Sequence, residues 1–204
     1  MDVAERMTPH NLFNDAVRDE FALAMHRYRL AVSLCAGKRV LDSGCGVGNG
    51  SFLLSAVAAQ VTAIDAGNDA IAFAKKYYAN TNLTFLVHDV LKPLSSQFDL
   101  IASFDVIEHV SHPDRYLQTL ARELAPKGTL VISTPNKTVL QLIYPEHNPY
   151  HLHEMTLDEF KDAVRKYFSI KKIEGQQLVN SSAQTASDLD AARGFIIWCN
   201  SKNE

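Results

Sequence analysis

VLDSGCGVGNG, residues 40–50, decides how the rest of the chain is read. Val40 and Leu41 are the apolar centre of a short strand expected over residues 38–43, and that strand runs into Gly44, Gly46, Gly48 and Gly50. An apolar helical run, residues 51–57, follows. A strand that breaks at glycines before a helix lets a ligand approach bare backbone and turns the helix N–H groups toward it. An ordinary tight turn rarely needs four alternating glycines, so a nucleotide-like ligand is the expected occupant. The spacing narrows the choice. A dinucleotide fingerprint requires G-x-G-x-x-G, and the position that would complete it is Asn49. The pattern is instead D-x-G-x-G-x-G, with Asp42 at the strand end. A carboxylate there would repel a pyrophosphate and suits a ligand carrying positive charge, such as an amino-acid ammonium.

Composition sets the frame. The 204 residues fit a single domain over 1–204, large enough to bury a core without disulfides or metals. A hydrophobic fraction of 47% is ordinary for a globular chain. The net charge of −3 does not mark the whole surface for nucleic acid or anionic lipid, which argues against a large polyanionic partner and leaves room for a local patch. Cys35, Cys45 and Cys199 are unevenly spaced and lack a C-x-x-C pair, which argues against a disulfide framework or a structural zinc site. No early apolar run reads as a signal peptide, and no stretch approaches the roughly 20 apolar residues that span a bilayer. The expected location is the cytoplasm.

The periodicities alternate between strand and helix. Residues 1–13 lack a clear period and read as an arm; residues 15–34 read as a helix, with Val17, Phe21, Ala24, Met25 and Tyr28 on one face. Strands are expected at 60–65, 83–87, 98–103 and 129–134, with helices at 69–78, capped by Asn68, and at 113–125, opened by Pro113. Thr156 and Glu159 form a capping box for a helix to about residue 167. Residues 168–174 and 195–199 supply the last two strands, and 180–190 reads as a loop. Such alternation implies an α/β fold, a parallel sheet with helices on both faces, whose ligands lie beyond the carboxyl ends of the strands. That rule gathers Gly44–Gly48, Asp65, Asp89, residues 104–109 and Pro135-Asn136 along one rim. Asp65, 21 residues after Gly44, suits ribose hydroxyls, with Ala66 beside it. Asp89 could accept from an adenine amino group, with Val90 beside the ring, or be a plain loop acid; Phe104 could pack on the cofactor or only cover the sheet edge.

The first motif, QVTAID, HDV at 88–90, FDLIASFDVIEHV at 98–110 and LAPKGTLVISTPN at 124–136 resemble, in order, the motifs of class I S-adenosylmethionine-dependent methyltransferases. The resemblance implies a Rossmann-like, seven-stranded, mostly parallel sheet. It also implies that Asp42, Gly44, Gly46 and Gly48 surround the methionine part of S-adenosylmethionine, that Asp65 holds its ribose and that Asp89 holds its adenine. Glu5-Arg6-Met7, His26-Arg27-Tyr28, STPNK at 133–137 and NPYHLHE at 148–154 resemble a narrower group, bacterial methyltransferases associated with surface-polysaccharide pathways. The usual form of the last segment is closer to N-P-F-H-V-R-E, and His153 stands in place of its arginine.

The chemistry of such enzymes is alignment of a nucleophile with an activated methyl group, plus a proton acceptor when the nucleophile is a neutral hydroxyl. Histidine suits that work near neutral pH. His109 and His151 are the candidate bases, and each could instead cap a helix or hold a loop. Asp105, Glu108, His109 and His151 also resemble the divalent-metal cluster of small-RNA 3′-terminal 2′-O-methyltransferases, and ubiquinone-pathway O-methyltransferases carry a similar segment; metal-independent relatives carry it too. The acceptor expected is a hydroxyl of a sugar, nucleotide-sugar or other small polar metabolite. N-methylation of an amine, an RNA substrate and a non-catalytic cofactor-binding scaffold are the rivals. The acceptor lid falls to residues 137–155, the N-terminal arm and 175–194, or is completed by a second copy in a homodimer.

Overall fold

The central strands are buried in near-continuous runs, as in Arg39–Ser43 and Phe98–Phe104, because both faces of the sheet are covered. The computed structural model describes residues 15–143 and 148–202. The readings made on residues 1–14, including Glu5-Arg6-Met7, and on 144–147 lie outside the described residues. Strands β1 (Arg39–Ser43), β2 (Gln60–Asp65), β3 (Leu83–Val87), β4 (Phe98–Phe104) and β5 (Leu124–Pro135) pair in parallel. β6 (Phe168–Val179), β7 (Ser182–Ala186) and β8 (Gly194–Ser201) join them antiparallel. The sheet order is β3-β2-β1-β4-β5-β8-β6-β7. The fold is Rossmann-like, as expected, with eight strands in place of seven.

The extra strand is β7, which lies where a loop was expected. It pairs with β6 across a two-residue turn in which Asn180 and Ser181 hold φ of 50° and 57°. Its residues are polar or small, so nothing in their hydropathy marks a strand. β5 also starts earlier than expected, at Leu124, with a register shift opposite Phe98 and Leu100 and Lys127 at φ 65°.

Six helices pack on or beside the sheet: α1 (Asp15–Val32), α2 (Asn49–Ser55), α3 (Asn68–Tyr77), α4 (Pro113–Glu123), α5 (Lys137–Ile143) and α6 (Leu157–Arg165). Leu41, Ile101, Leu130 and Ile132 join Tyr116 and Leu117 of α4 and Phe160 of α6 in one core. Their strand neighbours Val40, Leu100, Ala102 and Val131 join Tyr28 of α1 and Leu54 of α2 in the other. α6 opens on the expected capping box: Thr156 Oγ1 accepts from the Glu159 N–H at 3.4 Å and Glu159 Oε2 accepts from the Thr156 N–H at 2.8 Å. Asn68 does not cap α3; Gly67 holds that position without a side-chain bond. α5, in the segment read as a lid, buries none of its residues.

The order reverses between β1 and β4, so the chain leaves these two strands in opposite directions and opens a crevice at their carboxyl ends. Tyr116 fixes that edge from below. Its hydroxyl lies 2.9 Å from Ser43 Oγ and 2.8 Å from Ser103 Oγ, joining α4 to the ends of both strands.

Candidate functional site

A cavity of about 580 Å³ fills the crevice. Its floor is the glycine turn after β1. Gly44 and Cys45 both donate backbone N–H groups to the Ile64 carbonyl at 2.9 Å, and Gly46 donates to Asp65 Oδ2 at 2.9 Å. Gly46 has φ +55° and a Cβ built there meets nothing within 4 Å, so its bare face looks into the cavity. The other glycines answer to packing: a Cβ on Gly44 would lie 2.3 Å from Val106, and one on Gly50 2.0 Å from the Tyr28 ring. Gly48 is buried against Ala74 and Phe85, behind the cavity wall.

Asp65 stands on the wall where β2 ends, with Ala66 beside it. Its Oδ1 accepts from the Gly67 N–H at 2.8 Å while Oδ2 holds Gly46, so one carboxylate sets two turns. Val90 and Phe104 line the cavity as well, and Phe104 packs edge-on to Tyr28 with centroids 5.0 Å apart.

Two acids sit elsewhere than the sequence suggested. Asp42 shares the α1–α2 face of the sheet with Val40, two residues before it, and has no exposed surface. It accepts from Ser51 Oγ at 2.6 Å and from the Tyr28 hydroxyl at 3.1 Å, so it braces the glycine turn from behind. Asp89 is exposed, accepts from the Leu91 N–H at 3.0 Å and pairs with Lys92 at 3.7 Å; Val90, not Asp89, reaches the cavity wall. Asn136 likewise turns from the rim and binds the Ala192 carbonyl at 2.9 Å.

Burial pushes the Asp42 carboxyl up to about 7, against the lowering effect of the Ser51 and Tyr28 hydroxyls. A folded-state pKa above the unfolded value means that the folded protein holds a proton which the unfolded chain has released. Stability from this group therefore falls as pH rises from about 4 to about 7. The neutral variant Asp42→Asn is expected to gain on the order of 1–2 kcal/mol over the wild type between about pH 5.5 and 8, at about 1.4 kcal/mol per pKa unit. Urea denaturation at the two pH values measures this, and a constant gap between the proteins would contradict it.

α1 roofs the cavity with Phe21, Met25, Arg27 and Tyr28. Arg27 is 5% exposed. It donates to Gln176 Oε1 at 2.7 Å and to Asp105 Oδ2, while its Nε finds no partner among the described residues. Asp105 takes φ 52° and is held on its other side by Ser133, whose hydroxyl donates to Oδ1 at 2.7 Å. The cavity roles of Arg27 and Tyr28 left no trace in hydropathy, where α1 shows only an apolar face.

The far end of the cavity is histidine. His109 lines it, and its Nδ1 lies 2.8 Å from the Tyr150 carbonyl. A carbonyl only accepts, so Nδ1 carries the hydrogen and neutral His109 keeps its lone pair on Nε2. Burial holds the His109 pKa below its ordinary value, opposed by the Tyr150 bond; His151 lowers it further and Asp105 raises it. His151 packs edge-on to His109, with centroids 4.9 Å apart. Glu108 is fully buried; burial, then the charge of Asp105, pushes its carboxyl well up, and its Oε1 has no hydrogen-bond partner among the described residues. One ligand atom each from Glu108, His109 and His151 lie within 4.8 Å of one another. Asp105, the fourth member of the expected cluster, stands apart from that group with both oxygens engaged. His153 is exposed and lies 3.3 Å from the Ser111 carbonyl, so it ties down the neighbouring loop.

Comparison with known proteins gives the family. The profile of the methyltransferase domain matches residues 17–176. A probable S-adenosylmethionine-dependent methyltransferase of Mycobacterium tuberculosis is 32% identical over 136 residues, 65% of this chain and 48% of its own. The mitochondrial ubiquinone biosynthesis O-methyltransferase of Schizosaccharomyces pombe is 35% identical over 132 residues, 62% of this chain and 47% of its own. The chain thus spans about half the length of these curated relatives. The N-methyltransferase NodS from Bradyrhizobium japonicum, solved with S-adenosyl-L-homocysteine, shares the fold at a TM-score of 0.68 and 16% identity, over 88% of this chain and 85% of that one. With the glycine turn, the acid ending β2 and the eight-stranded Rossmann-like sheet in place, the chain belongs to the methyltransferase-domain family, of the class I S-adenosylmethionine-dependent type.

Proposed function

We propose that the protein binds S-adenosylmethionine in this cavity and transfers its methyl group to a hydroxyl of a small molecule. The observation that carries the reading is one cavity with two unlike ends: bare glycine backbone pinned by Asp65, and a histidine whose lone pair is fixed. The cradle fits the cofactor. Gly46 leaves open space where any side chain would project, Asp65 brings a carboxylate to the cavity wall where ribose hydroxyls would lie, and Val90 and Phe104 offer apolar walls for a base. Arg27 and Asp105, one of each charge, suit the carboxylate and ammonium of an amino acid.

Bound S-adenosylmethionine supplies a methyl group already activated on a cationic sulfur. The chain must then align the acceptor, exclude water and take up a proton. Holding two reactants in line contributes roughly 7–11 kcal/mol, and α1 closing over the glycine turn serves that end. His109 accepts the hydroxyl proton at Nε2, and His151 stands beside it. The acceptor is a sugar, nucleotide-sugar or other small polar metabolite, in line with the resemblance of residues 148–154 to the polysaccharide-associated group. An amine acceptor is the nearest rival, because NodS is an N-methyltransferase. The three cysteines are buried and free, the state a reducing compartment keeps, which supports a cytoplasmic location. No described helix is long and apolar enough to cross a membrane.

A second reading adds a divalent cation. It is favoured by the buried Oε1 of Glu108, without a hydrogen-bond partner among the described residues, beside two imidazoles, a mixed oxygen and nitrogen set that suits a first-row divalent metal such as Mn²⁺ better than Mg²⁺. Glu108, His109 and His151 would hold it, and it would lower the pKa of a bound hydroxyl.

Titration calorimetry with S-adenosylmethionine and S-adenosylhomocysteine tests the cofactor; no heat from either at high micromolar concentration would overturn the proposal. Incubation with labelled cofactor and a cell metabolite extract, read by mass spectrometry, tests turnover. Label entering an O-methyl ether supports the reading, label on nitrogen selects the amine rival, and cofactor binding without any transfer leaves the scaffold.

A further inference from the structure

The geometry points to Glu154 as a positioning residue that fixes the tautomer and plane of His151, so that the ring packed against His109 at the acceptor end of the cavity keeps its lone pair on Nε2. The inference rests on the histidine-assisted reading above and deepens it.

Glu154 and His151 lie in an irregular strap, residues 148–155, bound to the body at several points. The Leu152 and His153 N–H groups both donate to the Glu108 carbonyl, at 2.7 and 3.0 Å. Lys137 donates to the Met155 carbonyl at 3.1 Å, beside a bridge between Asn136 and Met155. At the other end Asn148 accepts twice, from the Tyr150 N–H on Oδ1 at 3.0 Å and from the His151 N–H on its carbonyl at 3.0 Å. The strap therefore moves with Glu108 and not with solvent.

Within this frame His151 Nδ1 lies 3.1 Å from Glu154 Oε1. The side chains are only 13% and 11% exposed, so the bond is largely shielded from competing water. An ionised carboxylate has acceptors and no donor, so the hydrogen of a neutral His151 resides on Nδ1. His109 obeys the same rule through the Tyr150 carbonyl. Two rings standing 73° apart thus each keep Nε2 as the lone-pair nitrogen. Both acceptors come from the one strap: the carbonyl of residue 150 and the carboxylate of residue 154. An imidazole without such a partner samples both tautomers and rotates about its bonds, and part of its population would then present N–H where a lone pair is required. The corresponding carboxylate partners of metal-bound histidines change activity by about 10–100-fold when removed, which sets the scale expected here.

The test compares wild type, Glu154→Ala and Glu154→Gln, each saturated with S-adenosylhomocysteine. Nitrogen-15 NMR at about pH 8.5, above the ordinary imidazole range, reports which nitrogen of His151 bears hydrogen. Wild type is expected to show Nδ1–H, Glu154→Ala a mixture with Nε2–H, and Glu154→Gln, which keeps an acceptor oxygen, a return toward Nδ1–H. Labelled-methyl transfer into the metabolite extract should fall about 10–100-fold in Glu154→Ala, with S-adenosylhomocysteine affinity within about threefold because Glu154 is not on the cavity wall. Nε2–H in the wild type, or an unchanged tautomer in Glu154→Ala, overturns the inference. If Glu154→Ala shifts the tautomer and transfer is unaffected, the positioning role is overturned. If His109→Ala also transfers normally, the histidine-assisted reading itself has failed, which separates the two failures.

Discussion

Gly46→Leu is expected to abolish binding of S-adenosylhomocysteine while the fold survives. Nothing lies within 4 Å of a Cβ at this position, so the new side chain meets empty space that belongs to the ligand. The backbone φ of +55° is strained for any residue with a Cβ, at roughly 1–2 kcal/mol. In a domain of this size that lowers the melting temperature by about 2–8 °C. Affinity should fall by at least about 100-fold, the equivalent of about 2.8 kcal/mol. Gly50→Leu is the control with the opposite signature. Its Cβ would lie 2.0 Å from the Tyr28 ring, so α1 must shift and the protein loses stability first. Calorimetry and thermal melts on the two variants separate the roles. Retained S-adenosylhomocysteine affinity in folded Gly46→Leu would mean that the glycine turn is not the cradle.

The strands that build this turn were legible because punctuation and pattern agree. Gln60–Asp65 and Leu83–Val87 appear at the bounds read from the sequence, each a short apolar run between polar or glycine residues. Asp42 was misplaced for a reason of parity and burial depth. An acid before a glycine turn looks like a rim residue, but β1 is flanked by β2 and β4 and covered on both faces, so its alternate side chains cannot reach water. Asp42 follows Val40 under α1 and α2. β7 was illegible because an edge strand of Ser, Ala, Gln and Thr has no apolar period to detect, and its turn uses Asn-Ser in place of the more telling Asn-Gly. The histidine pair lay at the limit of what sequence can give. His109 and His151 are 42 residues apart in sequence, and only the strap across Glu108 brings their rings to 4.9 Å. The roof was beyond it, since Arg27 meets Asp105 across 78 residues through packing of α1 on the sheet.

His109→Ala is expected to slow methyl transfer by about 10²–10⁴-fold, the usual contribution of a positioned base, with S-adenosylhomocysteine affinity changed less than about threefold. The split arises because His109 sits at the end of the cavity opposite the glycine turn. The wild-type pH profile carries the same signature. Burial is the largest influence on His109 and lowers its pKa from 6.5. The neutral, proton-accepting form therefore persists to lower pH, and the acid limb of the rate profile should fall below pH 6.5. That limb should vanish in the variant. A divalent cation at Glu108, His109 and His151 predicts a different pattern: chelation by EDTA silences the wild type, Mn²⁺ or Mg²⁺ restores it, and His151→Ala loses as much as His109→Ala. A base alone predicts indifference to EDTA and a smaller loss at His151, whose ring supports its neighbour. Undiminished transfer by His109→Ala would remove the proton acceptor from the mechanism and leave alignment over the glycine turn as its whole chemical basis.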